Sequence, residues 1–116
     1  MKKTIVFALL FIGFSLSSNA QTKQEQRQIK QANVFVKSIE DNLSDVTEEE
    51  KKKFYELKLT QIKELEKVNK EYEKNTDEHK EKFKAVLLNF QKDVKEEFGA
   101  KRGGELIKAS LAHLKN

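Results

Sequence analysis

The sequence predicts an all-α protein. Three observations carry that expectation. Pro is absent, and past residue 20 the only Gly are Gly99, Gly103 and Gly104. Lys, Glu, Leu and Gln, all good helix formers, dominate what remains. Apolar residues recur at spacings of three and four, and no run of β-branched residues alternates with polar ones. The expected arrangement is a long helical hairpin with shorter flanking helices, forming a cradle-like or bundle homodimer. At 116 residues a single domain is the ceiling.

Residues 1–20 read as a secretory leader. Lys2 and Lys3 form its basic start, Ile5 to Phe14 its apolar centre, and Ser18-Asn19-Ala20 places small residues at −3 and −1. Cleavage is expected between Ala20 and Gln21. The apolar run breaks at Ser15, Ser17, Ser18 and Asn19, short of the roughly 20 residues that a membrane span needs. The remaining residues, 21–116, are therefore expected to form one helical domain, exported without a membrane span into the periplasm or beyond.

The first helix is expected from about Lys23 to Leu43, where Ile29, Ala32, Val36, Ile39 and Leu43 follow a 3-4-3-4 spacing. The run Asn42-Leu43-Ser44-Asp45-Val46 interrupts the pattern. Thr47-Glu48-Glu49-Glu50 restarts it as a capping box, in which the Thr hydroxyl and the third Glu satisfy free amides. Three acids in that turn also suit the positive end of the helix dipole.

The second helix should run from Glu48 to about Lys74, about 40 Å at 1.5 Å per residue. Its stripe is Tyr55, Leu59, Ile62, Leu65, Val68 and Tyr72, with Phe54 and Leu57 beside it. Asn75-Thr76-Asp77-Glu78 reads as a turn and a second N-cap. The third helix carries Phe83, Val86, Leu87, Phe90, Val94 and Phe98, and Gly99 serves as its C-cap. Residues 100–104 read as a flexible link to a short fourth helix with Leu106, Ile107, Ser110, Leu111 and Leu114 on its face.

Long narrow stripes cover little of a helix surface, so Tyr55, Leu59, Ile62, Leu65, Tyr72, Phe83 and Phe90 are expected to form a partner-binding or dimer face. The basic run Lys51-Lys52-Lys53, with Lys58 further on, is expected at the surface as a contact for acidic clients.

Little points to catalysis. Cys is absent, which excludes disulfides, thiol chemistry and thiolate metal sites. The residues three before His79 and His113 are Thr76 and Ser110, so the Glu-x-x-His pairing of di-iron bundles is missing. Both His read as surface or helix-edge residues. No Ser lies in a glycine-flanked elbow, and Gly99 to Gly104 lacks the lysine and preceding strand of a phosphate loop. Carboxylates alternate with lysines at (i, i+4), as in Glu48–Lys52, Glu49–Lys53, Glu66–Lys70 and Glu78–Lys82, the pattern of a solvated helix face. The net charge of +4 falls to +2 without Lys2 and Lys3, and the lysines are interleaved with glutamates, which argues against nucleic-acid binding. Neither an enzyme nor a cofactor is expected.

In size, export signal, absence of Cys and hairpin architecture, the chain resembles the Spy/CpxP-like family of periplasmic helical proteins. That family opens a helix with Leu-Thr-x-x-Gln. Here Val46-Thr47-Glu48-Glu49-Glu50 stands in that place, with Val for Leu and Glu for Gln. Gly103-Gly104-Glu105-Leu106 occupies the place of the second copy and departs from it. The resemblance covers about residues 44–98. It implies a cradle-shaped helical dimer that acts as an ATP-independent chaperone for unfolded envelope proteins, or as an inhibitor of an envelope-stress sensor. The alternative is a structural or regulatory coiled-coil partner of one dedicated envelope protein.

Overall fold

The computed structural model describes residues 19–115, with side chains from residue 23 onward. It contains α1 (Asn19–Asn42), α2 (Glu48–Glu71), α3 (Asp77–Phe98), α4 (Ala100–Leu111) and a closing 3₁₀ turn, Ala112–Lys115. No strand occurs among the described residues. Residues 1–18, most of the expected leader, lie outside them. The expected cleavage pair, Ala20 and Gln21, falls in the first turn of α1, where the backbone alone is described.

Local chemistry sets each boundary. Thr47 and Glu50 close the capping box of α2 with two hydrogen bonds of 3.1 Å, Thr47 N–H to Glu50 Oε1 and Glu50 N–H to Thr47 Oγ1. Thr76 Oγ1 accepts from the His79 amide and starts α3. Gly99 ends α3 at φ +90°, a conformation that costs a residue with a Cβ more than it costs glycine.

Two expectations need correction. First, α1 is not a shorter flanking helix: at 24 residues it equals α2, which stops at Glu71 because Tyr72 is extended. Second, residues 100–104 are not a flexible link. They are the first turns of α4, and the whole connection from α3 is the single residue Gly99. Gly103 lies so close to α3 that a Cβ there would stand 3.1 Å from the Lys95 Cα and 3.2 Å from the Val94 carbonyl oxygen. Close approach, and not flexibility, explains that glycine.

The helices neighbour one another in a ring: α1 packs on α2, α2 on α3, α3 on α4, and α4 on α1. Their common core is Ile39, Phe54, Phe90, Val94, Leu106 and Ala109, with at least one residue from each helix. Phe54 and Phe90 meet edge to face, centroids 5.6 Å apart. Buried Ser38 ties α1 to the chain's end, donating to the Ala109 carbonyl at 2.6 Å and accepting the His113 amide at 3.2 Å.

At 12 residues, α4 is about 18 Å long against about 36 Å for α1. It therefore covers only the half of the bundle near the core. The radius of gyration, 15.8 Å, exceeds the roughly 13 Å of a compact domain of about 100 residues. The hairpin end is open.

Candidate interaction surface

The inner face of α2 is rotated from the expected stripe. Its buried residues are Phe54, Lys58, Gln61, Ile62 and Val68. Tyr55, Leu59, Leu65 and Tyr72 are half-buried along the edge, as is Phe83 on α3. Ile62 and Phe90 are buried within the single chain, so they cannot serve as an open binding or dimer face. Counting Lys58 and Gln61 as inward gives 54, 58, 61 and 68 beside Ile62, with the half-buried Leu65 completing a 4-3-4-3 spacing that the sequence contains.

The basic set must be corrected too. Lys58 is not at the surface: it is 6% exposed. Its ammonium lies 3.9 Å from the centroid of Phe35 on α1 and 4.7 Å from that of Phe90 on α3. It donates to Gln61 Oε1 at 2.7 Å. Burial pushes this amine down to about 8, while the aromatic faces and the amide offset part of the cost of the charge. Lys58 is a cross-brace between α1 and α3, which do not otherwise neighbour each other.

Lys51 bridges Glu40 of α1 and Glu48, both at 2.6 Å. Those bonds, Glu40 foremost, hold its ammonium above the usual lysine range. Lys53 pairs with Glu97 of α3 at 3.0 Å, and that bond raises it likewise. Lys52 alone of the four is exposed without an ion pair among the described residues. The expected basic contact surface is thus largely spent on holding the bundle together.

The carboxylates expected to pair at (i, i+4) along their own helix do not all do so. Glu66 of α2 accepts from Gln24 and Gln28 of α1 and lies 3.5 Å from Arg27. Glu48 stays on its own helix but pairs at i+3 with Lys51, and not at i+4 with Lys52. Neither His is a free surface residue. His79 is half-buried, stacks on Phe83 at 5.7 Å and sits with Nε2 2.7 Å from Asn69 Oδ1. His113 packs edge-on against Phe35 at 5.0 Å.

One surface that sets exposed leucines beside lysines lies along α3. Lys80, Lys84, Leu87, Gln91 and Lys95 fall at i, i+4, i+7, i+11 and i+15, one flank of a helix. Leu87 is 37% and Leu88 53% exposed. Two shallow clefts of about 370 and 380 Å³ border α3, one reaching Leu87 and the other Leu88. One has Phe83 and Leu87 as its floor with Lys74, Lys80 and Lys84 at the rim, and the other runs from Leu88 past Lys92 and Lys95 to Ala100. None of these five lysines makes an ion pair among the described residues. Glu96 is the one acid lining either cleft, and Glu81 borders the flank.

Among the described residues, no three His, Asp or Glu side chains converge on a common metal position. No described helix is long and apolar enough to cross a membrane. Comparisons with protein-family models, with curated proteins and with solved structures returned no match for this chain.

Proposed function

We propose that this chain is an exported helical protein that binds other polypeptides in the cell envelope, protecting them from aggregation without ATP. The observation that carries this reading is the flank of α3, where the partly exposed Leu87 and Leu88 lie between lysines without ionic partners. Exposed apolar residues rimmed by charge mark protein-binding surfaces. The leader pattern of residues 1–20 supports export, and the Thr47–Glu50 helix start supports kinship with the Spy/CpxP-like proteins. A homodimer belongs to the same reading, with Ile29 and Val34 on α1 and Leu111 and Leu114 at the chain's end as its exposed apolar residues.

A second reading is favoured by the confinement of that surface to one helix flank: the protein serves one dedicated envelope protein and has no general client activity. Light scattering separates the two. Stoichiometric protein added to two unrelated aggregating clients, without nucleotide and at low salt, should slow both. Protection of neither removes the chaperone reading and leaves the dedicated-partner reading. Sedimentation equilibrium reports the dimer independently.

A further inference from the structure

We propose that Gln21, given a free amine by removal of the leader, closes on its own side chain to pyroglutamate, so that the mature chain starts with a neutral ring. The inference rests on the reading of residues 1–20 as a cleaved leader and states what becomes of the new terminus.

Position makes the chemistry available. Among Gln21, Gln24, Gln26 and Gln28 of α1, only Gln21 exchanges its peptide N–H for a primary amine when the bond after Ala20 is cut. Its side-chain Cδ stands four bonds from that nitrogen, so attack forms a five-membered lactam, an intramolecular step whose partners need no encounter. The amine lone pair adds to Cδ, and the bond from Cδ to the side-chain nitrogen breaks. A proton from the attacking amine leaves with that nitrogen as ammonia. Nothing is oxidised, and no co-reactant is consumed. Gln24 and Gln28 keep their peptide nitrogens and use their side chains as donors to Glu66 Oε1, at 3.0 and 2.8 Å.

The fold favours a neutral terminus at this place. Because α1 is helical from Asn19, the mature chain starts within a helical turn, whose free amides carry partial positive charge. α2 sets Glu48, Glu49 and Glu50 against that charge in its own first turn, and α3 sets Asp77 and Glu78. Residues 21–24 are Gln, Thr, Lys and Gln, a turn with one base and no acid. An open terminus would add an ammonium to Lys23 at the same helix end, and closure removes it. The turn leads straight into the contact of α1 with α2, where Gln24, Arg27 and Gln28 all reach Glu66.

The test uses exported protein taken from the envelope fraction. Its amines are blocked by reductive methylation before digestion, so that closure during digestion is not counted. Trypsin then cuts only after arginine and releases residues 21–27. Tandem mass spectrometry reads a closed terminus, which chemical degradation from a free amine does not. It should find this peptide lighter by one ammonia and methylated at Lys23 alone. Gln21→Ala should give the same stretch methylated at both the terminal amine and Lys23. The variant should also melt a few degrees below the wild type at low salt, and the gap should narrow as added salt screens the terminal charge.

A wild-type peptide methylated at both amines overturns the closure and leaves export in place. An N-terminal peptide that starts at Met1 overturns the closure together with the leader. An unmethylated terminus in Gln21→Ala assigns the block to some other group and overturns cyclisation. Equal melting of the two proteins overturns the part given to the terminal charge.

Discussion

Arg102 donates to both carboxylate oxygens of Glu50, from Nε to Oε2 and from Nη2 to Oε1, each at 2.9 Å. Because Glu50 Oε1 also accepts the Thr47 amide, one carboxylate closes the start of α2 and anchors the first turns of α4. The remaining guanidinium contacts go to Glu105 at 2.9 Å and to Asp45 at 3.3 Å. The hydrogen bonds from Arg102 outweigh partial burial and hold the Glu50 carboxyl down at about 2. The paired Arg102 stays charged throughout.

That pairing makes the bundle acid-sensitive. The folded carboxyl titrates below its ordinary 4.5, so its stabilisation is present above pH 4.5 and is lost as pH falls toward 2. Glu50→Gln should cost about 1 kcal/mol at neutral pH, solvent screening keeping the effect to that order. It should also remove part of the stability decline between pH 4.5 and 2. Thermal midpoints of both proteins across that range measure the effect.

Lys58 should act in the opposite direction. Its folded value of about 8 lies below the ordinary 10.5, so folding penalises the charged form and the penalty is full below pH 8. Stability should rise as pH climbs from 8 to 10.5, by up to about 3 kcal/mol at 1.36 kcal/mol per unit. Lys58→Met keeps the stem between Phe35 and Phe90 but removes the titrating group. Denaturant midpoints of the variant should stay level over that interval; a parallel rise in both proteins counts against the assignment.

The glycines of α4 should answer differently to the same substitution. Gly103→Ala places a methyl group 3.1 Å from backbone of α3, so the helices must separate, at about 1–3 kcal/mol. Gly104→Ala meets open space in a helix and should stabilise by about 0.5–1 kcal/mol. Thermal melts of the two single variants provide the comparison.

Export is checked at one bond. N-terminal sequencing of secreted protein should begin at Gln21, and Ala20→Lys should leave the precursor unprocessed, since the peptidase needs a small residue at −1. A wild-type product that begins at Met1 contradicts the leader assignment.

Helix boundaries were legible wherever a short-range device marks them. Thr47, Thr76 and Gly99 each act within four residues of themselves, and a linear reading captures such signals. The face of α2 was not, because apolar periodicity counts side-chain types and a lysine stem folded between two rings does not register. The same limit hid the partners of Lys51, Lys53 and Arg102, which stand on other helices. Gly103 was read as slack because sequence holds no sign of what approaches a missing Cβ. The flank of α3 could have been found at the sequence level: Lys80, Lys84, Leu87, Gln91 and Lys95 share one helical repeat.

The neighbour order of the helices also sets a sequence of folding events. Three of the four interfaces join helices consecutive along the chain, and such local contacts form early because little loop entropy is lost in closing them. The fourth interface, α1 with α4, must bring Ser38 to Ala109 across 71 positions. It is the slowest closure and, by the same token, the cheapest to undo. Breathing of the native molecule should therefore be a seam opening between α1 and α4, with amides around Ala109 and His113 exchanging before those at the centre of the α2–α3 hairpin.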